Sequence, residues 1–435
     1  MTLGVAVALI SIILMVTLIY VGMHVGVVLV GLSFLGVWIM RGNFDLASNL
    51  LALSVADSIA DYNFGVIPLF VFMGFVVSAA NYGRDLFTAT NWVFRRFKGG
   101  LAVSTVAANA GFAAVTGVSI ASASVFTRIA VPEMLRFGYN PRFAVGVVAG
   151  SSVLGMLIPP SVLMILYGIL TDVSIGRMFI AGIVPGILLA VAFGAGIMLA
   201  VRLRPDLIKP TAAKDEVSLT IASALVKVAP IVVLVSLVMG GIYGGYFTAT
   251  EAAGIGAGAS LVLAVLMRRL SWPAFWRLLV DTATVTSTIC FLLIAASLYS
   301  RMLAFSGVPS FFASWITTSG FDFYTVLIIF ILVLLALGAI LDSTSIMLIT
   351  VPIMFPILSG LGADPVWLGI VIIVAVEIGI ITPPLGIAAF VVHDTLGRED
   401  ISLSDVFFGV FPFVVVMLIV LALLVIFPQL SLVLL

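Results

Sequence analysis

Four short stretches of this sequence carry residue types that could hold an ion or an anion inside an apolar environment. Two contain paired prolines: Gly155-Met156-Leu157-Ile158-Pro159-Pro160-Ser161 and Gly379-Ile380-Ile381-Thr382-Pro383-Pro384-Leu385. Successive prolines remove two amide donors, stop a helix and leave carbonyls one turn back without partners. In lipid, free carbonyls are tolerated only where something else satisfies them. A dehydrated Na⁺, a hard cation that favours oxygen, can do so. The other two stretches are small and polar: Thr116-Gly117-Val118-Ser119-Ile120-Ala121-Ser122 and Asp342-Ser343-Thr344-Ser345. Their hydroxyls can complete an oxygen shell, and the half-helix N-termini beside them offer free N–H groups to an anion. Charges inside apolar runs are costly and so informative. Arg128 either binds a carboxylate or snorkels and pairs. Asp342 ligates a cation, carries a proton, or caps a helix. Glu377, two residues before Gly379, supports the second break or pairs with a cation.

The elements that must position these groups are membrane helices. Of 435 residues, 63% are hydrophobic and only 9% charged, against about 25% charged in soluble chains. That excludes a soluble enzyme, a disordered chain and a nucleic-acid binder, since no basic surface could follow a phosphate backbone. The 19 basic and 19 acidic residues cancel. Cys290 is alone in an apolar run and reads as a small buried hydrophobe. The class expected is an all-α polytopic membrane protein. Residues 1–20 have an apolar run with no preceding Lys or Arg, which reads as a first spanning helix rather than a cleavable signal.

On a ruler of roughly 20 apolar residues per span, candidates fall at 3–21, 24–40, 65–80, 143–170, 178–201, 219–243, 249–267, 277–299, 366–391 and 406–427. Two further stretches, 101–135 and 323–358, are too long for one span and carry small or polar residues at their middles. If both are re-entrant hairpins, 14 basic residues (Lys214 among them) gather on one side and 3 on the other. This is the asymmetry expected of a cytoplasmic face, and it places both termini in the periplasm. Lys227 then lies near the cytoplasmic interface and reads as snorkelling. Leu46–Tyr62 and Asp85–Phe97 mix apolar and charged residues like helices lying along the interface.

The chain also repeats. A shift of 224 residues carries Ser119 onto Ser343, Gly155 onto Gly379, and Pro132, Pro141, Pro159 and Pro160 onto Pro356, Pro365, Pro383 and Pro384 without a gap. Prolines and glycines mark backbone breaks, so the shared property is architecture. By the charge map the two copies are inverted, and inverted repeats with paired helix breaks are the mark of a secondary transporter. No HExxH, GxSxG or nucleotide-binding P-loop is found, which disfavours a membrane enzyme and direct use of ATP. A channel is disfavoured because the breaks are paired rather than arranged as a continuous polar ring.

With these features in place, the sequence resembles the large membrane subunit of TRAP (tripartite ATP-independent periplasmic) transporters. Gly244-Gly245-Tyr246-Phe247-Thr248-Ala249-Thr250-Glu251-Ala252-Ala253 is similar to that family's GGxFTPTEAA stretch, with Ala249 where proline is usual, and Glu251 reads as a helix cap. Val131-Pro132-Glu133-Met134 with Gly138-Tyr139 and the two Pro-Pro breaks match as well. The resemblance implies membership of the ion-transporter superfamily, with an elevator-type motion of a transport domain against a scaffold. Scaffold elements would be 1–62, 177–276 and 399–435. Inverted repeat 1 (63–176; hairpin about 101–135, broken helix about 143–170) and inverted repeat 2 (277–398; hairpin about 323–358, broken helix about 366–391) would form the transport domain. One Na⁺ site would use Thr116, Ser119, Ser122, Gly155, Ile158 and Pro160. A second would use Gly338, Asp342, Ser343, Thr344, Gly379, Thr382 and Pro384. Arg128, Ser119, Ser343, Pro160 and Pro384 would meet the substrate. The resemblance also implies Na⁺-coupled import of an organic acid in the bacterial inner membrane. Its partners would be a small four-helix membrane subunit and a soluble periplasmic substrate-binding protein. The alternative is a stand-alone Na⁺- or H⁺-coupled anion symporter of the same superfamily.

Overall fold

A computed structural model of the chain describes residues 2–209 and 219–435, so Lys214 of the charge map lies outside it. Among the described residues the architecture is all-helical apart from one isolated bridge between Tyr139 and Ile208. In a bilayer only a helix satisfies its backbone within one segment, and uniformly apolar runs have no polar face to turn toward water. Nine helical segments among the described residues are long and apolar enough to cross a membrane.

The first half runs through α1 (Leu3–Tyr20), α2 (Val25–Arg41), α3 (Phe44–Ala60), α4 (Val66–Ala79) and α5 (Tyr82–Phe94). It continues with α6 (Gly100–Thr116), α7 (Ser119–Arg136), α8 (Pro141–Ser152), α9 (Leu154–Leu157), α10 (Val162–Thr171) and α11 (Ile175–Leu203). The second half comprises α12 (Ile221–Tyr243), α13 (Ala249–Leu266), α14 (Trp272–Ser306), α15 (Val308–Ser319) and α16 (Phe323–Gly338). It ends with α17 (Ser343–Gly360), α18 (Pro365–Gly379), α19 (Ile387–Leu396), α20 (Leu403–Ile426) and the short α21 (Gln429–Leu432). All ten expected spans fall on one of these helices or on a broken pair.

The repeat extends beyond the prolines that reveal it. α7 begins at Ser119 and α17 at Ser343; α8 begins at Pro141 and α18 at Pro365, each 224 residues on. Both proline starts are capped alike. Asn140 accepts from the Arg142 N–H at 3.0 Å, and its mate Asp364 accepts from Val366 and Trp367 at 2.9 Å. Proline tolerates the first helical turn because its missing donor would have had no partner there. α2 and α13, and α11 and α20, correspond under the same shift. α3 and α4 correspond instead to the single α14, whose 35 residues span about 52 Å.

The two copies interlock. α10 packs on α17 and α19 on α7, so the second half of each broken helix lies against the other copy's hairpin. Likewise α20 packs on α8 and α11 on α18. The α8–α20 contact is backbone to backbone: a Cβ on Gly146 would stand 2.1 Å from the Gly409 carbonyl oxygen. Arg142 and Asp405 pair across the same two helices at 2.6 Å.

The two stretches expected to lie along the interface form the helices α3 and α5. Asp57 of α3 pairs with Arg301 of α14 at 2.8 Å. On α5, buried Asp85 accepts from Lys227 at 2.6 Å and also pairs with Arg269, whose guanidinium lies 5.2 Å from the Tyr82 ring centroid. Lys227 is therefore held by a carboxylate rather than snorkelling. Cys290 is half-buried rather than fully enclosed. Thr248 and Glu251 form a reciprocal capping box at the start of α13, in keeping with the reading of Glu251 as a helix cap.

Candidate functional site

Both long apolar stretches are helical hairpins. α6 and α7 pack on one another across a turn at Gly117–Val118, and α16 and α17 across a turn at residues 339–342. Arms of 16–18 residues extend about 24–27 Å. Gly117 closes the first turn at φ +62°, where a side chain would be strained and its Cβ would stand 2.7 Å from the Pro160 carbonyl oxygen.

Each tip meets its own helix break. In the first copy the helix stops at Leu157 and restarts at Val162; in the second it stops at Gly379 and restarts at Ile387. The Val162 N–H donates to the Gly117 carbonyl at 3.2 Å, and the Leu385 N–H to the Ala339 carbonyl at 3.1 Å. Glycine makes the approach possible. A Cβ on Gly155 would stand 2.9 Å from Ser119 Cα, and one on Gly379 would stand 2.6 Å from Gly338 Cα. Of the expected site residues, Ser119 is thus brought to Gly155, and Gly117 of the same tip to Pro160; in the second copy Gly338 is brought to Gly379.

The hydroxyls hold distinct positions. Ser119 is fully buried, and its Oγ makes no hydrogen bond within the described chain. Thr116 donates to the Phe112 carbonyl at 3.0 Å and Thr382 to the Ile378 carbonyl at 2.6 Å, which leaves their oxygen lone pairs available. Ser122 donates to Asn109 Oδ1 at 3.1 Å, and Asn109 in turn donates to Ser151. Asp342 caps α17, accepting from the Ser345 backbone N–H at 3.1 Å and from the Ser345 hydroxyl.

Glu377 joins the two tips. It is 1% exposed, and its Oε1 accepts from Ser343 Oγ at 2.9 Å. Ser119 of the other hairpin lies within interaction range of the same carboxylate without completing a hydrogen bond, and Oε2 is buried and unpartnered. Sequence reasoning set Glu377 beside the second break without naming it as a site residue, and it passed over Asn109. Their signal was the failure of the repeat: Glu377 stands where the first copy has Val153, and Asn109 where the second has Val333.

Two features break the symmetry. Pro159, Pro160 and Ser161 are buried, whereas Pro383, Pro384 and Leu385 are exposed. α11 lies on the first break, where a Cβ on Gly182 would stand 3.0 Å from the Leu157 carbonyl oxygen. Arg128 is not brought to either tip. It is exposed on α7, about 13 Å along the helix from Ser119. Among the described residues no three His, Cys, Asp or Glu side chains converge as metal ligands. The donors on offer are hydroxyls and carbonyls, a set suited to hard cations.

A multi-pass helical membrane protein built from two such copies, each pairing a hairpin with a broken helix, has the architecture of a secondary transporter. The solved structure of the Alcanivorax borkumensis YdaH transporter shares this fold, with a TM-score of 0.64 over 90% of each chain at 14% identity. The family model of the tripartite ATP-independent periplasmic transporter DctM component matches residues 12–430. The C4-dicarboxylate TRAP transporter large permease protein DctM of Pseudomonas aeruginosa is 34% identical over 385 residues, 88% of each chain. The sialic acid TRAP transporter large permease protein SiaM of Vibrio cholerae is 30% identical over 420 residues, 96% of each chain. The chain belongs to the DctM component family of tripartite ATP-independent periplasmic transporters. It is a transporter permease of the inner membrane and not an enzyme.

Proposed function

We propose that this permease imports an organic acid anion by coupling its movement to Na⁺. The observation that carries the reading is the pair of tip-and-break sites, each a hairpin tip packed against its own helix break. Each site offers what a dehydrated alkali cation needs: hydroxyl oxygens on a buried hairpin tip facing a helix break whose prolines free carbonyls. Ser119 Oγ supports this most directly, being buried and unpartnered beside Gly155. In the first site Na⁺ would be held by Thr116, Ser119, Ser122, Gly155, Ile158 and Pro160. In the second it would be held by Gly338, Asp342, Ser343, Thr344, Gly379, Thr382 and Pro384.

A carboxylate is the substrate chemistry that the relatives' names favour, since C4-dicarboxylates and sialic acid both carry one. Ser119, Ser343, Pro160 and Pro384 would meet it between the tips, and Arg128, exposed about 13 Å along α7 from Ser119, would meet it on its way to that position. The hairpins are read as re-entrant, with both termini periplasmic. The hairpins and broken helices would move together past a scaffold in an elevator motion. The tripartite family implies a small membrane subunit and a periplasmic substrate-binding protein as partners.

The test is uptake in proteoliposomes holding this chain and its small subunit, supplied with the binding protein and its labelled ligand, with and without an inward Na⁺ gradient. Uptake that needs both Na⁺ and the binding protein supports the reading. Na⁺-driven uptake without the binding protein makes the chain a stand-alone symporter, and uptake indifferent to Na⁺ removes both ion sites.

A further inference from the structure

A cavity of about 1150 Å³ lies at the base of the first hairpin, enclosed by the ends of α5 and α11, the start of α6 and the α7–α8 loop. It is remote from the ion sites: Leu101 in its wall precedes Thr116 by fifteen residues, about 22 Å of helix. Its lining is amphipathic. Leu101, Phe137 and Met198 form apolar wall, while Lys98 and Arg202 face it with cationic groups against, among the described residues, the carboxylate of Asp206. At the start of α6 the Ala102 and Val103 N–H groups are already given to the Gly99 carbonyl at 3.0 and 3.1 Å. Burial pushes the Tyr139 phenol up to about 12, so it stays neutral.

The depth of the cavity identifies its occupant. α11 is an apolar span of 29 residues ending at Leu203, so Met198 and Arg202 lie in its last turns, where a spanning helix leaves hydrocarbon for the headgroup layer. Basic pockets between spanning helices at that depth suit phospholipid headgroups, and apolar walls below suit acyl chains. We propose that this cavity holds an anionic phospholipid, its phosphate against Lys98 and Arg202 and its chains along Met198 and Leu101. The cationic surplus favours an anionic headgroup over a zwitterionic one, and the apolar wall favours a lipid over a soluble anion.

Native mass spectrometry of the purified transporter complex tests this with phosphatidylglycerol and phosphatidylethanolamine. Wild type is expected to retain phosphatidylglycerol in preference. The double variant Lys98→Gln/Arg202→Gln should bind it about 25-fold more weakly, at roughly fivefold per near-surface cation. Met198→Trp, which fills the cavity and leaves its charges in place, should weaken it too. Equal binding of the two lipids by wild type overturns the proposal, as does unchanged phosphatidylglycerol binding in either variant. Displacement by millimolar inorganic phosphate also overturns it, making the cavity a soluble-anion site. Should the double variant fail to elute as a folded complex, the headgroup comparison and Met198→Trp decide the matter.

Discussion

Gly379→Ala tests whether the close backbone approach at the second break builds an ion site. The added Cβ would stand 2.6 Å from Gly338 Cα and 3.2 Å from its carbonyl carbon. Carbon atoms in ordinary contact are about 3.5–4.0 Å apart. Both clashing partners are backbone, so no rotamer change relieves the overlap, and the hairpin tip must part from the break by about 1 Å. Overpacking of this kind costs about 1–3 kcal/mol. The Gly338, Gly379 and Thr382 carbonyls move relative to one another in that displacement. If the strain falls on the ion-bound arrangement, affinity for Na⁺ drops by about fivefold to 150-fold, since 1.4 kcal/mol is tenfold. The control is Gly360→Ala. Its Cβ meets nothing within 4 Å, and alanine in place of a helical glycine stabilises by up to about 1 kcal/mol. The assay is initial uptake rate against Na⁺ concentration in proteoliposomes, with both variants verified as folded by elution and thermal melting. A half-saturation shared by Gly379→Ala, Gly360→Ala and wild type would refute the reasoning.

The remaining perturbations separate structural from functional roles. Glu377→Ala strips the buried Ser343 hydroxyl of its acceptor and should lower stability by about 1–3 kcal/mol, whereas Glu377→Gln keeps an acceptor and should melt near wild type. Thermal melts in detergent read both, and equal melting of the two would break the assignment. Asp85→Asn leaves Lys227 and Arg269 without their shared charge. Both cations are about a third exposed, so the expected loss is moderate, about 2 kcal/mol, read by the same melts and absent if the triad is only a surface contact. Arg128→Lys preserves charge and removes bidentate geometry; substrate half-saturation should rise about tenfold, and unchanged uptake kinetics would take the carboxylate away from Arg128. Asn109→Ala strips the buried Ser122 hydroxyl of its acceptor, while Ser151 keeps the Val147 carbonyl, and should cost about 1–3 kcal/mol in melting experiments.

The two kinds of evidence in the sequence reached different depths. Proline and glycine positions are read directly because they alter backbone geometry wherever they stand. The 224-residue shift therefore paired both tips and both breaks, while the broken helices, expected from 143 and 366, begin at Pro141 and Pro365. Lys227 was misread for the opposite reason. Its partner Asp85 is 142 residues away, and a charge near a span end looks the same in sequence whether it snorkels or meets a carboxylate. The packing of α20 on α8 was equally hidden, because a contact through Gly146 and Gly409 depends on tertiary approach and leaves no periodic trace.

Glu377 and Asn109 point to a better way of reading such a chain. A repeat conserves what both halves need, and here that is the paired serines, the prolines and the close glycine approach. Residues that do work only once have no mate, so they vanish from a search for self-similarity. Val153 and Val333 stand opposite Glu377 and Asn109, and both polar members are buried with hydrogen-bond partners on a neighbouring helix. An unpaired carboxylate or amide in one copy, matched by a β-branched hydrocarbon in the other, carries a desolvation cost that the repeat alone does not require. Asn109 meets that cost within its own copy, tying its hairpin to α8. Glu377 meets it at the junction of the copies, between Ser343 and Ser119. Asp342 stands opposite Val118 in the same way, so the two sites differ by two carboxylates as well as by the exposure of the second break.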